Sequence, residues 1–296
     1  MMFTNKEKNN FAKDPAVVRF KDQYYMYYTI LYKEHNSIGV GIAKSSDMES
    51  WDLCGEIPIT EEYEKNGIGA PGAIVLHDQV HLFYQTYGNG KQDAICHAVS
   101  TNAIDFEKDR TNPVYRPTND WCCGRAIDAD LCVFNNKLYM YVATRDHAME
   151  IQKIGGAYAD INSDFSKNTW TQIANQAILH PELEWEGKCI EAPAVIVNNG
   201  KIFMFYGGSY NCTPQQIGCA ASCDGAYFTR VFNEPFIPCG QEGQWNSSES
   251  GHPFVFRNND GRIYLFYQGS CDMGKTWYIT KTEIMFDDYN IPKLLG

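Results

Sequence analysis

A chain of 296 residues, 44% hydrophobic and 21% charged, has the apolar content for a large core and is too aromatic for a disordered segment. Its net charge of −11 disfavours nucleic acid and anionic membrane as partners. No apolar run reaches the roughly 20 residues of a membrane helix.

Met1 to Asn10 is polar and has no apolar leader core, which points to a cytoplasmic protein, or to a periplasmic or secreted one if a leader was trimmed. Eleven cysteines contain no C-x-x-C pair, so a structural zinc site is not expected. Cys132, Cys189 and Cys219 fall in apolar runs where a free thiol packs as a small hydrophobe, and most of the eleven read as reduced.

In chain order, one phrase recurs. Asp14-Pro15-Ala16-Val17-Val18 leads through Lys21-Asp22 to the aromatic run Tyr24 to Tyr28. Ala70-Pro71 leads through His77-Asp78 to Val80–Tyr84, and Asp128-Ala129 through Asn135-Asn136 to Leu138–Val142. Ala192-Pro193 leads through Asn198-Asn199-Gly200 to Ile202–Tyr206, and His252-Pro253 through Asn259-Asp260-Gly261 to Ile263–Tyr267. Each is a hairpin signal, because Asn, Asp and Gly tolerate the positive φ that tight turns need.

A third strand follows in each unit (Gly39 to Lys44, Ala94 to Val99, Gly156 to Ala159, Ile217 to Ala221, Trp277 to Ile284), and in the first four units an aromatic marks a fourth: Trp51, Phe106, Trp170 and Phe228. Five units spaced 56 to 64 residues apart predict an all-β fold, a five-bladed β-propeller of four-stranded antiparallel blades, as one domain over 1–296. The aromatic runs themselves are packing between blades.

The innermost strands should line the channel, and three begin with carboxylates: Asp14, Asp128 and Glu191, the last displaced by one residue relative to its proline. Asp130 shares a strand face with Asp128 and is a reserve for its role. Trp121, Trp185 and Trp245 precede inner strands, and an indole face suits the C–H face of a sugar. Arg145, Tyr210 and Glu249 are further candidates for contacts to substrate, with Gln215-Gln216 a thinner one.

Asp14-Pro15, Ile127-Asp128-Ala129 and Glu191-Ala192-Pro193 together resemble the Asp-Pro, Ile-Asp-Pro and Glu-Gly-Pro signatures of glycoside hydrolase family 43, in order and on the matching blades. Ala129 stands where that family has proline, and Ala192 where it has glycine. Families 32, 68 and 117 are similar propellers. The resemblance implies an inverting glycosidase with Asp14 as general base, Glu191 as general acid and Asp128 tuning the acid. Its substrates would be oligosaccharides of arabinofuranoside, xyloside or galactoside type. It implies no required cofactor, although His252 matches in position a channel histidine that some members associate with Ca²⁺.

Physical logic runs in parallel. Inversion needs one carboxylate to activate water and a protonated carboxyl facing it, about 6.5–9.5 Å away. A like charge nearby keeps the second one protonated. Two other readings stay open: a non-catalytic propeller that binds carbohydrate or protein, and a retaining enzyme like those of family 32, with Asp14 as nucleophile. A phosphorylase would need more basic residues than Arg125 and Arg145.

Overall fold

The computed structural model describes residues 1–295. Among them twenty strands form five separate four-stranded sheets, each in sequential antiparallel order. The blades are β1–β4 (Lys13–Phe20, Gln23–Tyr32, Ser37–Ser45, Asp52–Glu56) and β5–β8 (Ile68–Leu76, Gln79–Thr86, Ile95–Ser100, Glu107–Lys108). Then come β9–β12 (Ile127–Phe134, Lys137–Arg145, Gln152–Asp160, Thr171–Gln172) and β13–β16 (Ile190–Asn198, Lys201–Gly208, Gln216–Ser222, Thr229–Arg230). The last is β17–β20 (Glu249–Arg257, Ile263–Ser270, Tyr278–Phe286, Pro292–Leu294). This is the five-bladed propeller that the repeats predict. The ring is latched by its N-terminus, where Phe3 exchanges two 2.8 Å backbone hydrogen bonds with Ile279 of β19.

The aromatic runs are continuous because each second strand is buried on both faces. Along β14, Met204 and Tyr206 join the core shared with Tyr141 and Ile127 of the third blade. Their alternates Phe203 and Phe205 join the core shared with Leu265 and Val255 of the fifth. Fully burying one such ring contributes about 1.5–3 kcal/mol. The turns behave as their residues require: His77-Asp78 and Asn135-Asn136 hold both residues at positive φ, between 49° and 58°. All eleven cysteines are free, and Cys132, Cys189 and Cys219 are buried as expected of packed thiols.

One irregularity repeats in every blade. The inner strand slips register near its start, after Lys13, Gly69, Glu191 and Gly251 and opposite Tyr141–Ala143. The residue at the slip has left-handed φ: Asp14 (52°), Ala70 (41°), Asp128 (55°), Ala192 (50°) and His252 (40°). None is glycine, so each costs on the order of 1–3 kcal/mol unless its surroundings hold it. Proline follows in four of the five, at Pro15, Pro71, Pro193 and Pro253, as a bulge allows. In four of the five the previous blade supplies the hold. Gln268 accepts the Asp14 N–H (2.9 Å), Thr29 that of Ala70 (2.8 Å), Gln85 that of Asp128 (2.9 Å) and Gln215 that of His252 (3.1 Å). A bulge re-aims a side chain, and here it does so five times around one axis.

Candidate active site

Because the bulges are equivalent, they set the site's cast. Asp14, Asp128 and His252 occupy the left-handed position itself, whereas Glu191 occupies the residue before it, as Lys13 and Gly251 do in their blades. All but Gly251 line one cleft of about 410 Å³, together with Phe11, Tyr87, Arg125, Arg145, Tyr210 and Asn211. Asp14, Asp128 and Glu191 are 7–8% exposed, so each carboxyl is buried except where it faces the cleft.

The three carboxyls live in different environments. Asp14 accepts from His252 Nδ1 at 3.0 Å and has Lys13 Nζ at 3.9 Å. Burial opposes its charge, but the His252 and Lys13 cations and the hydrogen bonds from His252 and Thr29 prevail and hold it well below the usual carboxylate range. His252 is the counterpart: burial opposes its charge, yet Asp14 pushes it up to about 9, so the pair is ionic at neutral pH. Asp128 has no such partner. Burial raises it, the His252 charge opposes that only in part, and the neighbouring Glu191 and Asp14 charges add to it, leaving it at about 7.

Glu191 is held by amides. Gln152 Nε2 donates to its Oε2, while Gln215 Nε2 (2.6 Å) and Asn211 Nδ2 (3.0 Å) donate to Oε1. The glutamine orientations are fixed from behind. Gln152 Oε1 accepts from Arg145 Nε (2.5 Å) and Arg125 Nη1 (3.3 Å), and Gln215 Oε1 accepts from the His252 N–H (3.1 Å). Only their N–H groups remain for Glu191. The two glutamines hold the same station at the start of the third strand in consecutive blades, Gln152 opening β11 and Gln215 directly preceding β15; each bridges to the start of the next blade's inner strand, at Cys189 and at Glu249. Gln215 needs glycine neighbours, since a Cβ at Gly251 would collide with its amide and one at Gly207 would sit 2.9 Å from it. Asn211 Oδ1 in turn receives Lys13 Nζ at 2.5 Å, which links the Glu191 wall to the Asp14 wall.

Of the other residues singled out from sequence, Arg145 and Tyr210 line the cleft, the guanidinium 5.2 Å over the phenol ring. Trp121, Trp185 and Trp245 do not line it, and the expectation of three indole platforms is corrected. Each lies flat on strand glycines: Trp121 on Gly155, Trp185 on Gly208 and Gly218, Trp245 on Gly269. Trp185 also stacks on Tyr206 and donates to Asn233 O at 2.9 Å. A bare glycine strand beside a blade core is an apolar slot, and an indole buries more area there than at the mouth. Glu249 is likewise no sugar contact: it is fully buried and accepts from Gln268 Nε2 and Cys212 N, both at 2.7 Å. Through Gln268 it supports the Asp14 bulge. Asp130 points the other way and accepts the Val195 N–H at 2.7 Å, tying the third blade to the fourth.

The His252 ring is engaged by Asp14, and among the described residues no group of three or more His, Cys, Asp or Glu is gathered to hold a metal. Ca²⁺ takes six to eight oxygens, and the donors around His252 do not fit it. Sequence reasoning missed Lys13, Tyr87, Gln152 and Asn211. A signal existed for Gln152, which matches Gln215 in its repeat.

Three buried carboxyls in different environments thus face one cleft of a five-bladed propeller. The model of glycosyl hydrolases family 43 matches residues 3–288, and the chain belongs to that family. Among solved structures it is similar to a thermostable family-43 glycoside hydrolase (21% identity, 96% of this chain and 93% of that one, TM-score 0.75). It is also similar to an endo-1,4-beta-xylanase from Bacteroides thetaiotaomicron (19%, 98% and 96%, TM-score 0.76). A third is an exo-1,5-alpha-L-arabinanase from a bovine ruminal metagenomic library (18%, 99% and 100%, TM-score 0.73). No curated protein matches the sequence.

Proposed function

We propose that this glycoside hydrolase cleaves arabinofuranosidic or xylosidic bonds of plant or microbial oligosaccharides, galactosidic ones being the third choice, with inversion at the anomeric carbon. Asp14 is the general base, Glu191 the general acid, and Asp128 the group that tunes and orients the acid. The observation that carries this reading is the difference between Asp14, locked in an ion pair with His252, and Asp128, left near neutrality beside Glu191.

In this scheme Asp14 takes a proton from water as the water oxygen attacks C1 from one face of the sugar. Glu191 gives its proton to the departing oxygen on the other face. The carboxylate so formed is received by the Gln152, Gln215 and Asn211 N–H groups, which stand in place before the charge develops. Arg145 and Tyr210, which line the cleft, are the groups this reading assigns to sugar hydroxyls. No cofactor enters these steps, and EDTA is expected to leave the rate unchanged; a loss that Ca²⁺ restores would return a metal to the scheme.

The deciding test is a panel of aryl glycosides with wild type, Asp14→Asn and Glu191→Gln, the first product's anomer followed by NMR. Inverted product and a loss of about 10²–10⁴-fold in either variant are expected. Activity surviving both substitutions would sink the assignment, and retained configuration would make Asp14 a nucleophile.

A further inference from the structure

The catalytic cleft is not the largest hollow among the described residues. A groove of about 910 Å³ runs between the first and second blades, lined by Tyr32, Asn36, Ser37, Pro58, Ile59 and Asn66 among others. It meets the cleft at a shared wall: Tyr87 lines both, and the adjacent Ser37 and Ile38 face the groove and the cleft respectively. Tyr87 follows β6 directly and stands, counted along the repeat, where Arg145 ends β10 in the next blade. Its ring is 38% exposed, and its N–H is fixed to Gly67 O at 2.9 Å. Gly67 makes the close approach possible: a side chain there would meet Ser37 Oγ at 2.7 Å and Ile38 O at 2.8 Å, and its φ of 131° suits glycine alone.

The chemistry of the lining selects an occupant. Its charges are already matched: Glu56 receives Tyr32 OH at 2.5 Å and pairs with Lys8 at 2.9 Å, and Lys65 pairs with Glu62 at 2.5 Å. What remains are the Asn36 amide, the Oδ1 of Asn66 (whose Nδ2 donates to Asn89 Oδ1 at 2.8 Å), the His35 ring, a tyrosine face and the apolar surfaces of Pro58 and Ile59, the latter 37% exposed. Aromatic faces with neutral donors and acceptors match a neutral polyol ring, which presents C–H faces and hydroxyl edges. An anionic ligand would find no unpaired lysine or arginine among the described lining residues, and an apolar one would strand the Asn36 amide.

We propose that this groove binds the continuation of the substrate: a linear, neutral oligosaccharide whose reacting unit sits at Asp14 and Glu191 and whose further units pass Tyr87 into the space between the first two blades. The inference rests on the glycosidase reading of the cleft. The protein then discriminates by chain length, favouring substrates of about four or more units over disaccharides.

The test uses 1,4-linked xylo-oligosaccharides and 1,5-linked arabino-oligosaccharides of two to six units with the full chain. For whichever series is cleaved, kcat/KM is expected to climb about tenfold or more between two and five units. In Ile59→Lys, which drives a long charged side chain into the groove, the ratio of pentamer to dimer rates is expected to collapse toward one. A flat length series in wild type, or a climb that Ile59→Lys leaves intact, overturns the proposal. Affinity is read separately on Asp14→Asn by calorimetry with the hexamers. Tighter binding of hexamer than of dimer, lost on adding Ile59→Lys, supports the groove even if no series is hydrolysed, and equal binding of the two lengths overturns it. Absence of hydrolysis by wild type on any glycoside counts against the glycosidase reading alone.

Discussion

Glu186 and Glu191 stand five residues apart, both buried, and they solve the cost of burying a carboxylate in opposite ways. Glu186 is saturated. It accepts from Tyr206 OH (2.7 Å), the Glu182 and Leu183 N–H groups (2.7 and 3.0 Å), and Arg230 Nε and Nη2 (2.8 and 2.7 Å). Burial opposes its charge, but the hydrogen bonds from Arg230, the Glu182 and Leu183 N–H groups and Tyr206 together outweigh that and lower its pKa. The second blade repeats the design with Glu64, Tyr84 and Lys108. Glu191 has three neutral amide donors, no cation in direct contact, and one side open to the cleft. A buried acid whose every lone pair is matched to a fixed cation or N–H has nothing left to exchange; one held by neutral donors with an open side can pass a proton. Partner type separates the structural carboxylate from the one proposed as the acid better than burial does.

The sharpest way to break this comparison is to neutralise each acid in place. Glu191→Gln is expected to lower kcat by about 10²–10⁴-fold while shifting stability by no more than about 1 kcal/mol in urea unfolding. Glu186→Ala is expected to do the reverse: it leaves Arg230 only Glu182 and His180 O, leaves the Tyr206 hydroxyl and two backbone N–H groups without their acceptor, and costs on the order of 3 kcal/mol, yet the folded fraction keeps its turnover within about twofold. If Glu186→Ala unfolds the protein outright, Glu186→Gln with Arg230→Met removes both charges and is expected to recover most of the loss. A Glu191 variant whose activity falls only in step with its folded fraction would place both acids in the same class.

The ion pair opposite Glu191 gives a smaller effect with a definite sign. His252 titrates at about 9 in the folded protein against an ordinary value of 6.5. Its stabilising contribution is therefore complete below about pH 6.5 and is lost as pH rises through 9. At about 1.4 kcal/mol per pKa unit, the loss between pH 7 and 9.5 is about 2 kcal/mol. Asp14, depressed by the same pair, contributes above its ordinary 3.8 and loses that contribution on acidification. The measurement is the urea midpoint of wild type and His252→Gln at pH 6 and 9.5. A wild-type decline that the variant shares equally would show that the pair is not its source.

The propeller was legible because packing repeats: the same two-sided burial imposes the same aromatic run on five second strands, at Tyr24–Tyr28, Val80–Tyr84, Leu138–Val142, Ile202–Tyr206 and Ile263–Tyr267. The one-residue offset of Glu191 was legible too, and the shared left-handed position explains it, since Asp14, Asp128 and His252 fill that position and Glu191 precedes it. What local sequence cannot display is a relation between blades. Gln152 reaches Glu191 across 39 positions and Gln268 reaches Asp14 across 254, so neither amide declares its role beside its neighbours. The tryptophans misled for a related reason. Their proximity to the inner strands is real, but Gly155, Gly208, Gly218 and Gly269 draw the rings between strands, and the slot lies on a different stretch of chain from the indole that fills it.

Asp128 and Asp130 give the finest version of the contrast, because burial leads in raising both, to about 7. Two positions apart on β9, they differ only in what they face: Asp128 the cleft and its like charges, Asp130 the Val195 N–H at 2.7 Å, which partly opposes the rise. A raised carboxyl favours the folded state below its ordinary 3.8, and that advantage fades as pH climbs toward 7. Asp130→Asn keeps an acceptor for Val195 and removes the titration. It is expected to gain on the order of 1 kcal/mol over wild type at pH 8, to flatten the stability profile between pH 4 and 7, and to leave kcat/KM within about twofold. Asp128→Asn makes the same chemical change and should instead cut kcat/KM by at least about tenfold, since it alters a group that faces the cleft beside Glu191. Equal effects of the two substitutions on kcat/KM would mean that the field of the buried strand, and not contact with the cleft, governs the reaction.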